Sequence, residues 1–192
     1  MKKKEIRNLH LSQRKSWTLQ EWQSRHEQLM KNALDYLCSF PQQSIVLSFQ
    51  SILDKREVET NTLHERLIKS PYLFQLAFPR VEGEGIMTAY LCRENTHWNL
   101  SNWNILEPDP STAQKLEPTN IQVVLVPLIA CDLQGHRVGF GKGFYDRYLA
   151  QCDPTCIRIG LSLEEPLEKI DDIQAWDIPL QVVISPTRVY LM

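Results

Sequence analysis

The stretch Ile121-Gln-Val-Val-Leu-Val-Pro-Leu-Ile-Ala-Cys-Asp-Leu-Gln-Gly-His-Arg-Val-Gly-Phe-Gly-Lys-Gly-Phe-Tyr-Asp-Arg147 runs from a strand through a glycine loop into a helix. Its first six residues are almost wholly apolar, as a central parallel strand covered on both faces would be. Residues 127–130 carry the apolar run into a loop that holds four of the chain's seven glycines, Gly135, Gly139, Gly141 and Gly143. Glycines at alternate positions let the backbone turn sharply and approach a ligand closely. The amide N–H groups exposed in this way attract anions, phosphate above all. Arg137, Lys142 and Arg147 add positive charge, and Asp146 adds a carboxylate of the kind that works beside phosphate through a divalent cation. Residues 144–150 read as a helix. The stretch therefore predicts a nucleotide-phosphate site at the end of a buried strand.

Working outward, the remaining elements alternate. A short helix is predicted around Ile6, Leu9 and Leu11, with a break at 16–18. Thr18 and Glu21 have capping-box spacing, and a long helix follows to about Cys38, stopped by Pro41. Residues 44–49 read as a buried strand. Thr62 and Glu65 repeat the capping-box spacing ahead of a helix to about Lys69. Strands are predicted at 73–81 and 86–92, with a turn at 82–85. Residues 93–120 are rich in Asn, Pro, Ser and Thr and read as loop with short elements. Further strands are predicted at 156–161, 182–184 and 188–191. Strands alternating with helices imply an α/β fold. The expected architecture is a single three-layer α/β/α domain over 1–192, with a mixed, mostly parallel sheet flanked by helices.

The bulk composition excludes several classes. A chain of 192 residues can bury a core without staples, and 43% apolar with 23% charged residues is ordinary for a globular protein. A net charge of −2 argues against a general nucleic-acid binder. No apolar run has the length of a membrane span, and the basic N-terminus lacks the apolar region of a signal peptide. The five cysteines, Cys38, Cys92, Cys131, Cys152 and Cys156, are odd in number and scattered, which favours reduced thiols in the cytoplasm. They form no His–Cys cluster with metal-ligand spacing.

A rival reading of the glycine loop is a dinucleotide fingerprint, since Glu164 follows at about the distance expected for a ribose-binding acid. However, the glycines are spaced Gly-x-Gly-x-Gly, and Val126 and Gly139 are far apart, whereas in that fold the glycines follow the strand directly. The P-loop pattern fails because no Gly-Lys-Ser/Thr is present.

The run Val126-Pro-Leu-Ile-Ala-Cys-Asp132 followed by Gly135-His-Arg-Val-Gly-Phe-Gly-Lys-Gly-Phe-Tyr-Asp-Arg147 closely resembles the signature of the 5-formyltetrahydrofolate cyclo-ligases, also called 5,10-methenyltetrahydrofolate synthetases. Lys3-Lys-Glu-Ile-Arg7, Leu47-Ser48, Glu57-Val-Glu-Thr60, Trp103-Asn-Ile-Leu-Glu-Pro108, Trp176-Asp-Ile-Pro-Leu180 and Ser185-Pro186 resemble further segments of that family, so the likeness extends along essentially the whole chain. The resemblance implies ATP- and Mg²⁺-dependent closure of 5-formyltetrahydrofolate to 5,10-methenyltetrahydrofolate. It places ATP on Lys3, Lys4, Arg7, Arg137, Val138, Gly139, Phe140, Gly141, Lys142, Gly143, Phe144 and Tyr145. Arg137 and Lys142 would offset charge on the transferred phosphoryl group, and Asp146 would bind Mg²⁺. The reduced folate would meet Leu47, Glu57, Trp103, Phe140, Phe144 and Tyr145. A cytoplasmic monomer is expected, with a small-molecule substrate and neither nucleic acid nor membrane as partner.

Without the resemblance, Glu57 reads as a solvated acid before a helix, Trp103 as core, and Lys3 and Arg7 as a solvated basic end. Three departures from the family pattern stand out. About six residues, 51–56, are inserted before Glu57. Gln181 stands where many members carry a metal-binding Asp. Phe140 fills a position that is basic in some relatives. Two other readings follow: a non-catalytic folate- or nucleotide-binding homologue, and a nicotinamide-dependent oxidoreductase.

Overall fold

The apolar run at 121–126 forms strand β7 (Val123–Val126), every residue of which is buried. The structure is a computed structural model and describes residues 1–52, 55–69, 73–83 and 85–192. β7 lies inside an 8-stranded sheet, between β1 (Ile45–Leu47) and β10 (Ile157–Leu161), both parallel to it. Outside β1 lie β2 (Gln75–Glu82), parallel, then β3 (Ile86–Leu91) and β6 (Gln114–Leu116), each antiparallel to its neighbour. Outside β10 lie β11 (Val182–Ile184), parallel, and β12 (Val189–Leu191), antiparallel. The sheet is thus parallel at its centre and antiparallel at both margins, the mixed and mostly parallel arrangement expected.

Strand periodicity divides the core into two layers. Val46, Val123, Leu125, Ile159, Leu161, Val182 and Ile184 face one side, where α2 (Leu19–Leu37) and α3 (Asn61–Lys69) bury Leu29, Ala33, Leu37, Leu63 and Leu67. Leu47, Val124, Val126 and Val183 face the other, against Tyr148 and Leu149 of α4 (Phe144–Leu149). Each fully buried aliphatic side chain contributes about 1.5–3 kcal/mol, which explains why the central strands need no polar face.

α1 (Lys3–Ser16) is longer than the sequence predicted. It packs through Ile6 onto a small hairpin of β8 (Ala130–Cys131) and β9 (Arg137–Val138), together with Ile170. The Thr18–Glu21 capping box forms: Glu21 N–H donates to Thr18 Oγ1 at 3.2 Å, and Thr18 N–H to Glu21 Oε2 at 2.7 Å. The Thr62–Glu65 box does not, because α3 begins at Asn61, one residue before Thr62. The Glu59 carboxylate accepts from Asn61 N–H and the Thr62 hydroxyl instead. The region read as loop at 93–120 holds a two-stranded ribbon, β4 (Trp98–Leu100) with β5 (Leu106–Pro108), and the edge strand β6. Glu84 of the turn predicted at 82–85, and Leu53 and Asp54 of the inserted segment, lie outside the described residues. Among the described residues no helix is long and apolar enough to cross a membrane.

The connections position the site. α3 leads from β1 to β2 over one face, and α4 leads from β7 to β10 over the other. The chain leaves β1 and β7 in opposite directions along the sheet, so a crevice opens beyond their carboxyl ends, where α/β sheets bind ligands.

Candidate functional site

A cleft of about 560 Å³ occupies that crevice. Phe49 and Gln50, which follow β1, and Pro127, which follows β7, form part of its lining. The loop at 139–143 forms one wall. It is presented by the β8–β9 hairpin, whose turn is organised by the fully buried Asp132. Asp132 accepts from the N–H groups of Gln134 and His136 through Oδ1, and from Ile170 N–H through Oδ2. Gly135 belongs to this turn rather than to the cleft, and its carbonyl accepts from Leu180 N–H at 2.8 Å.

Gly141 has φ +88°, in the left-handed region that favours glycine. The Arg7 guanidinium lies against it, 3.3 Å from where a Cβ would stand, and Arg7 Nε donates to Gly139 O at 2.7 Å. Arg7 and Lys3 come from the same face of α1, and both line the cleft. Lys3 Nζ is paired with Asp177. Burial alone would raise the pKa of Asp177, but the Gln174 N–H, Lys3 and Arg137 together hold it below the usual carboxylate range.

Arg137 is committed to the scaffold. Its Nη2 meets Asp146 Oδ1 at 2.7 Å, and its Nη1 donates to Ile178 O at 2.5 Å. Ile178 N–H also donates to Asp146 Oδ1, at 3.1 Å. Lys142 and Arg7, by contrast, take part in no ion pair among the described residues. Lys142 Nζ rests 5.3 Å from the centroid of the Trp103 ring. Phe140 lies beneath Lys55 Nζ, 4.4 Å from its ring centroid, so a cation reaches that part of the wall from the 51–56 segment.

Glu57 also lines the cleft and is only 2% exposed. Ile52 N–H donates to its Oε2 at 2.8 Å. Burial pushes its pKa up to about 7 against the pull of that N–H, Arg14 and Lys55. Glu107, from β5, is a second buried carboxyl in the cleft, and burial raises its pKa also. The Tyr145 hydroxyl is buried and has no hydrogen-bond partner among the described residues. Burial first, then Glu57, push its pKa above that of an ordinary phenol.

The predicted residues Lys3, Arg7, Glu57, Trp103, Arg137, Gly139, Phe140, Gly141, Lys142, Gly143, Phe144, Tyr145 and Asp146 all line this one cleft. Three others do not. Leu47 and Val138 are fully buried in the core, where their side chains serve packing, and Lys4 is exposed on the outer side of α1. Trp103 is not core but 51% exposed at the cleft mouth. Gln181 is not in the lining either. Its amide oxygen accepts from Arg158 N–H at 3.0 Å at the start of β11. The carboxylate delivered to the cleft from this region is Asp177, four residues earlier. Asp177, Trp176 and Glu107 were legible only as parts of longer motifs. Phe49 and Lys55 carry no local signal, because strand ends far apart in sequence bring them together. Among the described residues no group of three or more His, Cys, Asp or Glu could hold a metal by itself.

Comparison with known proteins fits this geometry. The family model described as the 5-formyltetrahydrofolate cyclo-ligase family matches residues 1–186. The chain is 34% identical over 87 residues to the 5-formyltetrahydrofolate cyclo-ligase of Mycoplasma pneumoniae, a match covering 45% of this chain and 51% of that one. It is 32% identical over 92 residues to the Escherichia coli K12 protein of the same name, covering 47% and 50%. The matches thus span about half the length of these curated relatives. Over the full fold, the structure of Aquifex aeolicus 5,10-methenyltetrahydrofolate synthetase superposes with a TM-score of 0.78 at 27% identity, covering 100% of this chain and 93% of that one.

Proposed function

Since the chain belongs to the 5-formyltetrahydrofolate cyclo-ligase family, we propose that it closes 5-formyltetrahydrofolate to 5,10-methenyltetrahydrofolate at the expense of ATP, releasing ADP and phosphate. One observation carries this reading: the 139–143 loop and Glu57 line a single cleft. A backbone that holds phosphate and a carboxylate that holds a reduced folate must meet in this way for a phosphoryl group to pass between their ligands.

The chemistry calls for little covalent help from the protein. The formyl oxygen is a poor leaving group. Its attack on the γ-phosphorus breaks the bond to the β-phosphate oxygen and frees ADP. N10 then adds to the activated carbon, phosphate departs with the former formyl oxygen, and N10 loses its proton. Such transfer depends on positioning and on charge stabilisation. Amides of 139–143 would cradle the phosphates, while Arg7 and Lys142, which form no ion pair among the described residues, would face them. Arg137 would act from its fixed place against Asp146. Glu57 would accept paired hydrogen bonds from the N–H donors of the pterin edge, with Trp103, Phe140, Phe144 and Tyr145 walling the rings.

Mg²⁺ fits the donor set: Asp146 has only Oδ1 engaged, and this cation is commonly held through one or two carboxylates plus substrate phosphates. When bound it would neutralise charge on those phosphates. The reading includes a monomeric, cytoplasmic protein, a compartment that suits the five free thiols.

The test mixes protein with 5-formyltetrahydrofolate, ATP and Mg²⁺ and follows absorbance of the methenyl product. Product that accumulates only with ATP supports the reading. ATP binding without turnover points instead to a non-catalytic homologue, and NADH binding in place of ATP to an oxidoreductase.

A further inference from the structure

Behind the 139–143 loop, outside the cleft, lies Arg147 of α4. Its guanidinium sits between two stretches of backbone. Nε donates to Gly85 O at 3.0 Å, at the tip of the β2–β3 hairpin, and Nη2 donates to Lys142 O at 3.0 Å, inside the loop. The group also lies 5.5 Å from the centre of the Phe144 ring. The slot exists only because its two walls are glycines. A Cβ on Gly85 would stand 2.8 Å from Nη2, and one on Gly143 would stand 2.9 Å from Nη1. Both residues have positive φ, +82° and +68°. The side chain faces a smaller cavity of about 360 Å³, lined also by Lys115, Gln151 and Phe144.

We propose that Arg147 is a positioning residue that sets the conformation of the phosphate loop. A trans peptide points its C=O and N–H in opposite directions. Pinning Lys142 O from behind therefore turns the Gly143 N–H the other way, toward the cleft that Gly143 lines. The same guanidinium ties this peptide to the β2–β3 hairpin, so the loop is braced against the sheet rather than left as a free span. Only a planar fork with several donors can reach both carbonyls at once, so lysine is no substitute. This inference deepens the functional reading above by naming what shapes the phosphate-binding wall.

Two measurements on the intact protein test it. In Arg147→Ala and Arg147→Lys, KM for ATP should rise about tenfold or more while kcat and KM for the folate change little, the pattern of lost binding at one subsite. In the absence of any nucleotide, amide hydrogen exchange at 141–143 should accelerate about tenfold while the core strands keep their protection. A paired control separates the clamp from ordinary glycine strain. Gly85→Ala places a methyl against the guanidinium and should raise KM for ATP in the same way. Gly83→Ala, also at positive φ (+62°) but with nothing within 4 Å of the added Cβ, should not. Unchanged exchange at 141–143 in Arg147→Ala overturns the proposal, as does equal behaviour of the two glycine variants. If the parent protein binds no ATP with Mg²⁺, the functional reading fails instead, and the exchange measurement still judges the clamp.

Discussion

Glu57 is a carboxyl placed where water would normally be needed to keep it charged. Its pKa in the folded protein is about 7 against an ordinary 4.5. Below pH 4.5 both folded and unfolded states hold the proton, and the shifted pKa carries no penalty. Between 4.5 and 7 the folded state keeps a proton that the unfolded chain has released, so this residue's contribution to stability falls as pH rises. His64, lowered to about 4 from 6.5 by burial, works in the opposite sense: its contribution is lost as pH falls from 6.5 toward 4. Glu57→Gln removes only the first effect. Relative to the parent, its stability should improve by about 1 kcal/mol or less at pH 5 and by roughly 3 kcal/mol at pH 8, read from urea midpoints. The same substitution replaces one acceptor oxygen with an NH₂ donor and removes the charge, so KM for the folate should rise about tenfold or more with KM for ATP unchanged. Asp146→Asn keeps an acceptor for Arg137 but loses the charge offered to a cation. The Mg²⁺ concentration for half-maximal turnover should rise by about tenfold, and an unchanged Mg²⁺ titration would contradict the metal assignment.

Among the elements, the glycine loop and α1 act together. Gly141→Val forces a β-branched side chain into φ +88° and against Arg7, so the folded variant should show no ATP binding by calorimetry. Ile6 is fully buried between α1 and the β8–β9 hairpin. Ile6→Ala should cost about 2–5 kcal/mol in thermal unfolding, and should raise KM for ATP more than KM for the folate, because α1 carries Lys3 and Arg7. The elements legible in the sequence are those with enough residues to express a period: β7 through its unbroken apolar run, α2 through its capping box and spaced apolar positions, and α4 after the glycines. β4, β5, β6, β8 and β9 have two or three residues each, too few for alternation to be visible, and unlike the equally short β1, β11 and β12 they do not fill an apolar run of their own. The cleft was legible where a motif is contiguous, as at 137–146. Lys55 and Phe49 carry no signal of their own because they meet only after distant strand ends assemble. Gln181, which stands where many members of the family carry a metal-binding Asp, is tied to Arg158 of β10 and does not line the cleft.

For the molecule as a whole, the proposed nucleotide and folate sites would draw on α1, the β1 and β7 ends, the 139–143 loop and the β4–β5 ribbon, so that ligand binding would contribute to folding. ATP with Mg²⁺ at about one hundred times its dissociation constant should add roughly 2.7 kcal/mol, a rise in unfolding temperature of about 5–10 °C for a chain of this size. Magnesium alone should add little, and Gly141→Val should abolish the ATP shift. Finally, the margins of the sheet, β12 and β6, are antiparallel strands of three residues apiece. So brief a row of open backbone groups offers no template for a second chain to extend the ladder. Self-association by strand addition is thereby discouraged, and heat-induced clumping should track global unfolding rather than precede it.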